Sequence, residues 1–173
     1  AALIVDEAHA IGVFGKGLVD HLNLNERVFA VITTYGKAMG CHGAAILGSN
    51  ALREYLINFA RSFIYTTAAP FHQLVSIKTA YRLLESSAHI IKQLQKNTSL
   101  YEALMHPGNI SPYNSAIKTL IIAGNENTRS VAVKLQDAGF DVRPILSPTV
   151  KAGTERLRIC LHAYNTPNEI ISL

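Results

Sequence analysis

The chain has 173 residues, of which 49% are hydrophobic and 16% charged, which is enough apolar material for one domain, or one and a small second, and too much for a disordered or low-complexity segment. Its formal charge of +4 comes from scattered Lys and Arg with no basic run, so a solvated surface or an anionic small-molecule site explains it better than a nucleic-acid patch. The two cysteines, Cys41 and Cys160, lie far apart without a C-x-x-C partner and indicate neither a zinc site nor a disulfide framework, so a reducing, cytoplasmic setting is expected.

No apolar run approaches the length needed to span a bilayer. Ala1-Ala2-Leu3-Ile4-Val5 reads as a buried strand already under way without an initiator Met, and residues 169–173 stop inside a helical pattern without a cap. Both are expected of a piece of a longer protein.

The first strand ends at Asp6-Glu7-Ala8-His9 and leads into a glycine-punctuated loop, Ile11-Gly12-Val13-Phe14-Gly15-Lys16-Gly17. Polar residues at the carboxyl end of a buried strand stand where α/β folds put their ligands. A second strand over 29–32 delivers Thr33-Thr34-Tyr35-Gly36-Lys37-Ala38-Met39-Gly40, and a third covers 43–48. Asn50 then serves as a candidate N-cap for a helix over 50–61, marked by Leu52, Tyr55, Leu56 and Phe59. Ile64-Tyr65-Thr66-Thr67 returns to extended character until Pro70.

Leu74, Ile77, Tyr81, Leu84, Ala88, Ile91 and Leu94 predict one long helix, a spine linking two lobes. The turn residues His106-Pro107-Gly108-Asn109 set the expected boundary between residues 1–106 and 107–173. Beyond it the pattern is that of a compact α+β unit: strand 116–122, helix 128–138 ended by Gly139, strand 142–145, the loop Ser147-Pro148-Thr149-Val150-Lys151-Ala152-Gly153, and strand 157–163. The chain carries no internal repeat.

Lys37 is the first candidate for chemistry. With Gly36, Ala38 and Gly40 around it there is little bulk near the amine, so a planar cofactor could reach it and form a Schiff base; a solvated loop lysine is the alternative. Thr34, three residues earlier, could hydrogen-bond such a cofactor's phosphate, or satisfy its own turn. Asp6 could sit under a pyridine nitrogen and keep it protonated, with His9 reaching another edge of the ring; the pair could equally cap a turn. Thr66 and Thr67 suit phosphate oxygens but are also ordinary β-formers. Arg156 and Arg158, two apart in a strand, share a face from which a guanidinium could grip a carboxylate, or merely pair with a surface acid.

D-E-A-H after an apolar strand also matches the nucleotide-hydrolysis motif of DEAH-type helicases, where the acidic pair holds Mg²⁺. That reading requires a phosphate loop G-x-x-x-x-G-K-S/T, and none occurs here.

In order and spacing, D-E-A-H-A-I-G, T-Y-G-K-A-M-G, A-R-S-F-I-Y-T-T-A-A-P, S-P-T-V-K-A-G and R-L-R-I-C-L-H-A resemble the α-oxoamine synthases, pyridoxal-phosphate enzymes of the fold-type I aminotransferase superfamily. The likeness implies an α/β chain: part of a three-layer α/β/α large domain of the pyridoxal-phosphate transferase type, over 1–106, followed by a small α+β C-terminal domain over 107–173. It implies that Lys37 carries pyridoxal 5'-phosphate, Asp6 partners the pyridine nitrogen, His9 donates to the ring's phenolic oxygen and Thr34 holds the phosphate. Thr67, or its neighbour Thr66, would reach the phosphate of the other subunit's cofactor, and Arg158 would bind the amino acid carboxylate.

Such enzymes are homodimers that condense an amino acid with an acyl thioester of CoA or acyl carrier protein and release CO₂. The texture of S-P-T-V-K-A-G-T-E-R-L-R and C-H-G-A-A-I-L-G favours the biotin-precursor branch, L-alanine with a pimeloyl thioester, over the branch that joins glycine to acetyl-CoA. No metal, nucleic acid or membrane is expected.

Overall fold

The computed structural model describes residues 1–105 and 115–173, which divide into two compact units, Ala1–Ile91 and Lys92–Leu173. The expected boundary turn, His106 to Asn109, lies outside the described residues.

Unit 1 is built on a three-stranded sheet of order β1-β2-β3. Strand β1 (Ile4–Asp6) pairs in parallel with β2 (Ala30–Thr34), and β3 (Ala44–Gly48) pairs antiparallel with β2. Between β1 and β2 run a one-turn helix, α1 (Leu18–His21), and a 3-10 turn over Asn25–Arg27, neither legible in the sequence pattern. The side chains of Ala8, Ile11, Val19, Ala30 and Tyr35 form the unit's buried core.

Helix α2 (Asn50–Phe59) follows β3. Its N-cap is Ser49 and not Asn50: the serine hydroxyl accepts from the Leu52 amide at 3.2 Å, which makes Asn50 the first helical residue. The segment after α2 is not extended as expected. The amides of Ile64 and Thr66 donate to the carbonyls of Ala60 and Phe63, and Tyr65 stands at φ 65°, so the chain turns there.

The single spine helix is in fact two, α3 (Phe71–Ser86) and α4 (Ala88–Leu104). Apolar spacing runs on through the break and concealed it. The cause is the Ser86-Ser87 pair, whose hydroxyls both donate to the Leu83 carbonyl and compete with the helical ladder.

Most of α4 belongs with unit 2, for physical reasons. Tyr101 is buried in a cluster with Val142, Ile159, Leu161 and Ile170, and Leu100 and Met105 pack against it. The buried Asn97 donates to the carbonyls of His162 and Asn165, both at 2.9 Å. The unit's sheet has order β4-β6-β5 and is antiparallel throughout: β4 (Ile117–Ile121), β5 (Arg143–Ile145) and β6 (Arg156–Cys160). Lys118 on β4 is 1% exposed and tolerates burial because its ammonium is paired with Glu102 of α4.

Helix α5 (Asn125–Asp137) starts three residues before the expected Thr128. That threonine is fully buried and donates to the carbonyls of Ile122 and Gly124, so the residue expected to open the helix lies inside its first turn. Helix α6 (Pro167–Ser172) opens with a reciprocal capping box between Thr166 and Glu169. No described helix is long and apolar enough to cross a membrane.

Candidate active site

The lysine stretch leaves β2 as a short loop tied at its base. Tyr35 N–H donates to the Gly43 carbonyl at 2.9 Å, Cys41 N–H to the Tyr35 carbonyl at 2.8 Å, and Gly40 N–H to the Lys37 carbonyl at 3.0 Å. Gly40 turns the chain at φ 62°. Tyr35, to which the sequence assigned no role, is the anchor. It is 5% exposed, its ring meets Tyr81 of α3 edge-on at 5.9 Å, and the Tyr81 hydroxyl donates to it at 3.4 Å. Burial, reinforced by that hydrogen bond, pushes its phenol far above the usual tyrosine range, so it stays neutral. The loop thus has a rigid footing while Lys37 itself is exposed.

Strand register decides what faces what. Asp6 is opposite Ile32, so Asp6 shares a face of the sheet with Ile32 and, by alternation, with Thr34. Thr33 and Tyr35 point to the other side, where they are 2% and 5% exposed. Asp6 ends β1 exposed, with one carboxylate oxygen accepting from the Ala8 amide at 2.8 Å. His9 lies exposed in the turn that follows.

Thr34 Oγ1 is a buried atom with no hydrogen-bond partner among the described residues. A buried hydroxyl left unsatisfied is costly unless something else accepts from it, and a phosphate oxygen is a suitable acceptor. An acid at a strand end, an unspent hydroxyl on the same face and an amine three residues later fit a phosphorylated pyridine aldehyde.

Glu7, the second acid of D-E-A-H, does something the sequence reading missed. It is 2% exposed, and its two carboxylate oxygens accept from the amides of Leu18 and Val19 at 2.6 Å each, clamping the start of α1. A Cβ on Gly17 (φ 131°) would lie 2.0 Å from one of those oxygens, which explains a glycine there. A carboxylate occupied in this way cannot serve Mg²⁺, and the helicase-like reading loses half of its acidic pair. Glu7→Ala should lower unfolding stability by roughly 2–4 kcal/mol, since it strands two amides that have lost water. The midpoint of urea unfolding checks this.

The remaining candidates are placed as follows. Thr66 and Thr67 are exposed between α2 and α3, and the Thr66 hydroxyl is spent on the Phe63 carbonyl at 2.7 Å. In unit 2, Arg156 and Arg158 share a face of β6, as alternation requires, while Leu157 and Ile159 fill the core. The two arginines are not equivalent. Arg156 Nε donates to the Thr154 carbonyl at 2.9 Å, whereas Arg158 Nε is buried with no partner among the described residues. Such a guanidinium has a donor to spend on a carboxylate.

Next to them Glu155, 3% exposed, accepts from the amides of Gly124 and Gly153 at 2.9 and 2.8 Å, and these bonds, that of Gly124 foremost, hold its carboxyl below the usual glutamate range. It fixes the S-P-T-V-K-A-G loop to the start of α5. Among the described residues no group of three or more His, Cys, Asp or Glu could hold a metal ion.

The chain is similar to known proteins over nearly its whole length. An 8-amino-7-oxononanoate synthase of Emericella nidulans is 42% identical, the match covering 98% of this chain and 44% of that protein. The crystal structure of 8-amino-7-oxononanoate synthase from Francisella tularensis superposes with a TM-score of 0.84 at 30% identity, covering 98% of this chain and 52% of that one. A structure of SPT with a PLP internal aldimine shares the fold with a TM-score of 0.88 at 24% identity, over 99% of this chain and 45% of that one. The chain spans about half the length of these proteins. The fold-type I architecture expected from the sequence is the one found. All 173 positions match the description of aminotransferase class I and II, and the chain belongs to that family.

Proposed function

We propose that the full-length enzyme carrying this chain is a pyridoxal-phosphate-dependent acyltransferase. In this reading it condenses L-alanine with a pimeloyl thioester, releases CO₂ and forms 8-amino-7-oxononanoate for biotin synthesis. The observation that carries it is the face of the first sheet on which the Asp6 carboxylate and the unspent Thr34 hydroxyl lie together, three residues ahead of Lys37. We also propose that the enzyme is a cytoplasmic homodimer and that Thr67, rather than Thr66 with its hydroxyl proton given to the Phe63 carbonyl, serves the phosphate held by the other subunit.

When bound, the cofactor supplies a protonated pyridine ring that absorbs the electron pair left when a proton leaves the amino acid's α-carbon. Lys37 would hold the cofactor covalently, and its amine, once free, would serve as the base at the amino acid's α-carbon. Asp6 would partner the ring nitrogen and favour its protonated form. His9 would donate to the ring's phenolic oxygen and Thr34 to the phosphate, which together would fix the ring's orientation. Arg158 receives the amino acid carboxylate in a two-pronged grip.

The test is turnover by the full-length enzyme of L-alanine with pimeloyl thioesters against glycine with acetyl-CoA. Preference for the first pair is expected. Preference for the second moves the chain to the acetyl-transferring branch of the family.

A further inference from the structure

The loop between β1 and α1 is clamped at its far end by Glu7 and near its start passes close to the lysine loop. Gly12 stands at φ 82° with its amide donating to the Gly15 carbonyl at 2.8 Å. A Cβ at residue 12 would lie 2.8 Å from the Ala38 Cβ, against a comfortable carbon separation of about 3.5–4.0 Å. The next atoms it would meet, the Ala38 carbonyl carbon and Cα, are at 3.6 and 3.7 Å, which are ordinary contacts. One methyl group, that of the residue after Lys37, is therefore the steric bar to a side chain at position 12, in addition to the backbone strain at φ 82°. On its other flank the lysine loop is tied by the Gly40 and Cys41 amides, so a push on Ala38 is passed to Lys37.

We propose that Gly12 is a positioning residue for Lys37: its bare backbone is the wall against which Ala38 rests, and that contact sets where the lysine amine starts. The inference rests on Lys37 being the cofactor-bearing residue. The molecule contains its own control. Gly15 has φ 66°, so alanine there suffers comparable backbone strain, yet nothing lies within 4 Å of its would-be Cβ.

The experiment compares G12A, G15A, A38G and G12A/A38G in the full-length enzyme. One arm follows amide exchange at Gly40 and Cys41 in the cofactor-free protein; the other follows pyridoxal phosphate uptake by absorbance. G12A should speed exchange and weaken uptake by about tenfold each, and the double variant should return both to within about twofold of A38G alone. G15A should lower the melting temperature and leave both readouts in place. An unaffected G12A, a double variant that is not restored, or a G15A as impaired as G12A overturns the proposal. If G12A does not fold, a folded double variant upholds the contact and an unfolded one refutes it. Should the wild type itself take up no cofactor on Lys37, the functional reading fails, while the exchange arm still reports on Gly12 and Ala38.

Discussion

Lys37→Ala in the full-length enzyme is expected to abolish the absorbance band of the lysine-bound cofactor and with it turnover, leaving the melting temperature of the cofactor-free protein unchanged. The separation follows from the loop's construction. Its footing is the buried Tyr35 ring and three backbone hydrogen bonds, all of which survive removal of an exposed side chain. What disappears is the amine proposed to form the covalent bond and to take the proton, and no neighbouring lysine stands in the stretch to replace it. A variant that kept the band, or kept a borohydride-sensitive colour, would remove Lys37 from its role. A variant that lost both band and stability would point to a packing function instead.

Asp6→Asn should separate binding from chemistry. Asparagine has the same shape, and its side-chain oxygen can still accept from the Ala8 amide, so the turn after β1 persists and the cofactor should still bind. The carboxylate is gone, however, and with it the partner proposed to keep a proton on the pyridine nitrogen. Proton abstraction from the amino acid should slow by at least about a hundredfold, seen as loss of kcat and of solvent-deuterium exchange at the α-carbon. Unchanged turnover would mean that the carboxylate serves the turn alone, which the sequence allowed as the simpler reading of D-E-A-H.

Legibility followed the range of the interactions. Strands β2 and β3, helix α2 and the order of elements in unit 2 were readable because apolar runs and helical spacing are local properties of the sequence. The errors came where a distant or competing partner decided. Ser49 took the cap from Asn50 because its hydroxyl reached Leu52, and Ser86 with Ser87 broke a helix whose apolar stripe continued without interruption. Thr128 read as a start because nothing in the sequence says that its hydroxyl is needed by Ile122 and Gly124. For Glu7 a faint signal existed: an acid next to a candidate site, followed by a loop with three glycines, Gly12, Gly15 and Gly17. It could not be told from a second catalytic acid.

By itself the sequence determined the class of molecule and the chemistry it can carry: an α/β chain whose strand ends deliver an acid, a hydroxyl and one uncrowded lysine in an order that resembles a single family. Only the tertiary structure decided which of these groups are free to act. Register brought Asp6 and Thr34 to one face, backbone amides consumed Glu7 and Glu155, and a carbonyl occupied Arg156 while Arg158 kept its donor. The reason is that residue type fixes what a side chain can donate or accept, whereas whether that capacity is already spent depends on groups brought near it by the fold from elsewhere in the chain.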